Sequence, residues 1–183
     1  MSSSQRPEAP PRQAPGEAKR RGLATAAWAA VLQVHAALVP KLDQLLTRTT
    51  GLPLSWYDVL LELAAAPDRR LLMGELGQRV VLSRTRVSRI VDELVAAGLV
   101  RKETNPRDGR SSYAVLTKEG LEKYRAAAPV YLAGIEREFA ANLTDRELIA
   151  VFKALRSVLD MPLQISAGGQ APNSQAASTP EIR

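Results

Sequence analysis

The sequence predicts a mainly α fold with a small β wing, and three observations predict it. The apolar share is 45% while aromatics supply only 4%, so the core stock is Ala, Leu and Val, which favours helices over a sandwich or barrel. Apolar residues recur at helical spacing through most of residues 23–160. One short stretch, residues 99–116, instead reads as two strand-like runs around a turn-rich loop.

The elements follow in order. Residues 23–48 place Ala27, Val31, Val34, Leu38, Leu42 and Leu45 at helical spacing, and Pro40 is expected to bend or break that helix. Its apolar residues spread around much of the circumference, so it needs cover on more than one side, which a second subunit would supply. In LPLSWYDVLLELAAAPD, Ser55 reads as the N-cap, Asp58 stands at the third helical position, and Pro67 ends the helix. LLMGELGQRV suggests a short third helix with Leu72, Leu76 and Val80 on one face, weakened by Gly74 and Gly77.

LSRTRVSRIVDELVAAGLV gives the clearest helix: Ser83 is its candidate cap, Val87, Ile90, Val91, Leu94 and Val95 its apolar stripe, and Gly98 its stop. Two strands, Leu99 to Thr104 and Tyr113 to Leu116, enclose the doubly basic loop NPRDGRSS. Thr117 caps a further helix interrupted at Pro129. Thr144 caps a last one, to Asp160, expected to bury Leu148, Phe152, Leu155 and Leu159. Residues 1–21 and 163–183 are rich in Pro, Ser, Gln and small residues and are expected to be disordered arms around one domain at 22–162.

Charge narrows the function. The formal net charge is +6, and residues 69–118 alone hold 11 Lys and Arg against 5 Asp and Glu, so the excess is segregated there and not spread. Segregation of that kind suits contact with a polyanion, nucleic acid above all. The absence of Cys removes disulfides, thiolate metal sites and thiol redox switches. Together with a polar N-terminus and no run of 18 uniformly apolar residues, it leads us to expect a soluble, cytoplasmic protein.

Helix, helix, strand, basic loop, strand through residues 73–116 is the order of a winged helix-turn-helix, which would span about residues 55–117. The outer side of the helix at 83–97 carries Ser83, Arg84, Thr85, Arg86, Ser88 and Arg89, donors suited to base edges and phosphates in a major groove. Its first turn has Arg84 and Arg86, with Arg89 just beyond, and no acidic neighbour, although a helix N-terminus favours Asp and Glu. Phosphates would supply the missing negative charge. The loop presents Arg107 and Arg110, a finger suited to the narrow minor groove, with Asp108 able to brace one guanidinium.

The stretches DGRSSYAVLT and LSRTRVSRIVDELVAAGLVRK resemble the wing signature and recognition helix of the MarR family, multiple antibiotic resistance regulators, and the likeness extends over roughly residues 23–160. The resemblance implies a homodimer binding double-stranded DNA at a pseudo-palindromic site, as a repressor or a dual regulator. Helices at about 23–48 and 117–160 would interleave through Val31, Leu38, Leu148, Phe152, Leu155 and Leu159. It implies Arg110 as the minor-groove residue, Asp108 as its brace, and Ser83 to Arg89 as the major-groove reader. It further implies a small aromatic or phenolic effector, for which Trp28, His35, Trp56 and Tyr57 are the candidate lining.

His35, the one histidine, sits in an apolar stretch and reads more simply as a buried core imidazole; Trp56 and Tyr57, at the start of a helix, read more simply as ordinary core. No metal or other cofactor is expected, since a second His and any Cys are lacking. Catalysis is not expected: the sequence has no Gly-rich phosphate loop, nucleophile elbow or His/Glu metal helix, and Glu136 and Glu138 point to different sides of their helix. The competing reading is a winged-helix module that bends DNA or binds protein with little sequence preference.

Overall fold

The computed structural model of the chain describes residues 15–80 and 84–159, the side chains of Pro15 and Arg84 excepted. The N-terminal arm up to residue 14, Ser83 and the tail from residue 160 lie outside the described residues. Helix α1 runs from Pro15 to Thr50, so residues 15–21, expected in the arm, are helical, and Pro40 does not end the helix. Pro40 forfeits one N–H, but the turns that follow are anchored by Leu42 and Leu46, 8% and 0% exposed, which outweighs one lost hydrogen bond.

Two compact units divide at Val39 and Pro40. In the first, residues 16–37 of α1 are exposed throughout, Leu23, Trp28 and Leu32 among them. Helix α1 includes a window of mean hydropathy 1.5, apolar enough by length and composition to cross a membrane. That qualifies the expectation drawn from uniformly apolar runs, because Thr25, Gln33 and His35 interrupt the stretch without charging it.

The second unit holds the core, where Leu46, Leu52, Leu60, Leu63, Leu76 and Leu94 are each under 2% exposed. Helix α2 spans Leu54–Ala65. Its first N–H group, on Leu54, donates to Asp43 Oδ1 of α1 at 2.7 Å, so Asp43 caps it from a distance and Ser55 is not the N-cap. After Pro67 the chain turns through Asp68 and Arg69, both left-handed at φ near +52° and +54°, and enters strand β1, Arg70–Leu72. The expected third helix therefore starts later, as α3, Met73–Arg79, with the Glu75 carboxylate accepting from the Leu72 N–H at 3.2 Å.

Helix α4, Arg84–Ala96, buries Val87, Ile90, Val91 and Leu94, but Val95 is 38% exposed and lies off the stripe. Gly98 stops it at φ +73°, with Leu99 N–H returning to Leu94 O at 2.9 Å, a left-handed cap that glycine adopts without strain. Strands β2, Val100–Thr104, and β3, Ser112–Leu116, form the expected hairpin. β1 joins its other side, giving an antiparallel sheet of order β1-β3-β2 in which Leu71 faces Ala114 and Lys102 faces Ala114 from the opposite edge.

Thr117 caps α5, Lys118–Glu138, which passes through Pro129 unbroken. Its hydroxyl accepts from Gly120 N–H at 3.0 Å and donates toward Leu99 O at 2.9 Å, pinning the start of α5 to the turn after α4. Gly134, further along, leaves room for Leu42 and Leu45. Helix α6, Asp145–Val158, opens on a capping box of Thr144 and Glu147. Its apolar residues are not buried as expected: Leu148 and Phe152 are half-buried, and Leu155 and Leu159 are 43% and 61% exposed. A single protomer leaves this stripe uncovered.

Candidate nucleic-acid interface

The apolar stripe of α4 turns Thr85, Arg86, Ser88 and Arg89 outward, and all four are exposed. Arg84 opens the helix, its side chain outside the described residues, as is all of Ser83. No acidic residue stands in the first turn of α4, so the partial positive charge of the helix N-terminus adds to that of the arginines.

The wing between β2 and β3 is shaped by its own polar groups. Asn105, 8% exposed, donates through Nδ2 to Ser111 Oγ at 2.9 Å and accepts from Arg107 N–H at 3.0 Å, while its own N–H donates to Ser111 O at 3.0 Å. Asp108 Oδ1 accepts from the main-chain N–H of Arg110 at 3.1 Å. The carboxylate therefore fixes the turn and does not brace a guanidinium as expected, because the short Asp side chain reaches the backbone two residues on before it reaches the long Arg. Arg107 and Arg110 project from this fixed loop, both exposed, and with Arg89 they form no ion pair among the described residues.

Sequence reasoning missed the groups that hold these elements. Trp56 of α2 donates from Nε1 to Glu93 Oε2 of α4 at 3.0 Å, and Lys102 of β2 meets Asp92 Oδ1 of α4 at 2.6 Å. Both acids look like ordinary solvated charges in the sequence, and only their neighbours reveal otherwise. Asn105 gives a faint signal as the residue opening a Pro-containing turn.

The four candidate effector residues fare differently. Trp28 and His35 are exposed on α1 of the single protomer, so His35 is not buried within its own chain. Trp56 is engaged by Glu93. Tyr57, 3% exposed, packs with Tyr124 and Tyr131 of α5 at ring-centroid distances of 5.4 and 4.8 Å, and burial pushes its phenol well above the usual range.

Next to this cluster, burial and then the nearby Glu62 carboxylate push Asp58 from the usual 3.8 to about 6. The folded state then holds this proton more tightly than the unfolded chain. Its stabilising contribution is complete below pH 3.8 and is lost as pH rises through about 6. Asp58→Asn is expected to raise stability at pH 7.5 by about 1–2 kcal/mol after solvent screening, and to flatten its pH dependence between pH 4 and 6 in urea titrations. A loss of stability at pH 7.5 would mean that the ionised carboxylate is well satisfied.

The comparisons agree with this architecture. A model of the MarR family matches residues 50–111. The uncharacterized HTH-type transcriptional regulator YkoM of Bacillus subtilis is 32% identical over 83 residues, a match covering 44% of this chain and 54% of that protein, about half its length. AbsC, a MarR family regulator from Streptomyces coelicolor, superposes with a TM-score of 0.68 at 31% identity, over 74% of this chain and 91% of its own. A second MarR family regulator from Streptomyces coelicolor, solved in complex with DNA, gives 0.69 at 32% identity, over 74% and 88%. With two relatives matched above 30% identity along most of their length, and with α4 and the wing folded as described, the chain belongs to the MarR family of transcription regulators.

Proposed function

We propose that the chain binds a pseudo-palindromic operator as a homodimer, α4 entering the major groove and the wing the adjacent minor groove, and that it acts as a repressor. The observation that carries this reading is the set of exposed Arg, Ser and Thr on α4 together with Arg107 and Arg110 on a wing whose backbone is fixed by Asn105 and Asp108. One of the similar regulators was solved with DNA bound. The dimer is supported by what one protomer leaves bare: α1 through residue 37, and Ile149, Leu155 and Val158 of α6. Val31 and Leu38 of α1, Leu148, Phe152 and Leu155 of α6, and Leu159 just past its end would be covered by the second copy. An aromatic effector would have to displace the bond from Trp56 to Glu93 or bind without it.

The test is a titration of a duplex that the protein enriches from a randomised pool. Arg110→Ala is expected to weaken binding about 30-fold, as loss of one charge-assisted contact of about 2 kcal/mol does, and to leave the elution volume and circular dichroism unchanged. Unchanged affinity would remove Arg110 from the interface. Equal binding to any duplex by the unaltered protein would favour the architectural reading instead.

A further inference from the structure

We propose that Glu93, gripped by Trp56, is a positioning residue that fixes the rotation of α4 about its own axis and so decides which side chains face the bases, a role that rests on the operator reading above. Val87, Ile90, Val91 and Leu94 hold α4 down, but apolar packing is non-directional and resists translation better than a small roll. At 3.6 residues per turn, Asp92 and Glu93 lie about 100° apart, to either side of the line directly opposite the buried stripe. Each has a partner on a different element: Glu93 accepts from Trp56 Nε1 of α2 at 3.0 Å, and Asp92 pairs with Lys102 of β2 at 2.6 Å.

The two tethers thus oppose rotation in both senses, and the second also ties the wing strand to the helix. They are not equivalent. The Lys102 and Asp92 side chains are 36% and 62% exposed, a pair that water and salt weaken. The Trp56 bond joins a rigid, half-buried indole to an exposed charged acceptor, and the fixed direction of the indole N–H makes it the more directional of the two. Base contacts tolerate misplacement poorly, because a bidentate Arg pair with guanine needs both hydrogen bonds aligned, whereas phosphate contacts follow a small roll of the helix. The consequence is a side chain that touches no DNA yet acts on discrimination more than on affinity at large.

The experiment compares the enriched duplex with a scrambled duplex of the same length and salt, by fluorescence anisotropy, for Trp56→Phe, Glu93→Leu and Glu93→Gln. Trp56→Phe and Glu93→Leu are expected to lower the ratio of the two affinities roughly five- to tenfold, with the melting temperature and the salt dependence on scrambled duplex within error of the unaltered protein. Glu93→Gln keeps an acceptor oxygen and most of the ratio. Because both Glu93 variants remove the same charge, any general gain in DNA affinity appears equally in them and cancels. The double variant of Trp56→Phe with Glu93→Leu is expected to be no worse than the poorer single one. An unchanged ratio in Trp56→Phe and Glu93→Leu overturns the proposal. So does a ratio that falls only together with the melting temperature, since that marks a general structural role. If the unaltered protein enriches no sequence, the operator reading fails, and that outcome is distinct because it appears before any substitution is made.

Discussion

Gly120→Ala is expected to destabilise the fold by at least about 3 kcal/mol, in urea denaturation followed by circular dichroism. A Cβ at this position would stand 2.1 Å from Leu99 O and 2.9 Å from Leu116 Cδ1. The first neighbour is backbone, held by the left-handed turn at Gly98 and by the Thr117 hydroxyl, so it cannot swing aside. In an exposed helix the same substitution gains about 1 kcal/mol, so the sign itself tests the close approach of α5 to the turn. Gly109, at the wing, has nothing within 4 Å of a Cβ, and Gly109→Ala serves as the control with little effect. A Gly120→Ala protein as stable as the control would show that α5 starts farther from the sheet than described. If the loss occurs, DNA binding should fall with it, because the turn at Gly98 connects α4 to β2.

The elements legible in the sequence are those whose determinants are local. The stripe of α4, the Gly98 stop, the Thr117 and Thr144 caps and the hairpin around NPRDGRSS are each set by residues within a few positions of one another. What stayed hidden is set by residues far apart. Strand β1 is three residues long and is a strand only because Tyr113, Ala114 and Val115 lie beside it. Three residues show no periodicity, and Arg70–Leu72 reads as readily as the first turn of α3. Ser55 has the right side chain for a cap but was displaced by Asp43, eleven positions before the Leu54 N–H it accepts from. Pro40 reads as a helix breaker by propensity, and burial of the following turns overrides it.

The same division explains the site. The outward arginines of α4 and the wing were legible because charge on the face opposite an apolar stripe is a local pattern. The tethers from Trp56 to Glu93 and from Lys102 to Asp92 were not, because each joins two elements and neither partner is unusual on its own. Asp108 shows an intermediate case. Its place beside the arginines was legible, but its bond to the Arg110 main chain depends on the turn that Asn105 and Ser111 close.

That separation of holding groups from contacting groups leads to the largest functional effect expected. Arg89 lies on α4 and Arg110 at the wing, two elements that would meet different grooves, and neither forms an ion pair among the described residues. Removing both should therefore act nearly additively and without unfolding, since no buried charge loses a partner. Two charge-assisted contacts at about 1.5–3 kcal/mol each correspond to roughly 10³-fold weaker binding of the Arg89→Ala, Arg110→Ala protein to its enriched duplex. The slope of log affinity against log salt should fall by about 1.8, or about 0.9 for each phosphate left uncontacted. The slope separates the roles: an arginine that reads a base and touches no phosphate lowers affinity for the enriched duplex and leaves the slope as it was. A double variant whose affinity and slope both match the unaltered protein would mean that the duplex lies against some other face, and α4 would lose its assignment as the reading helix.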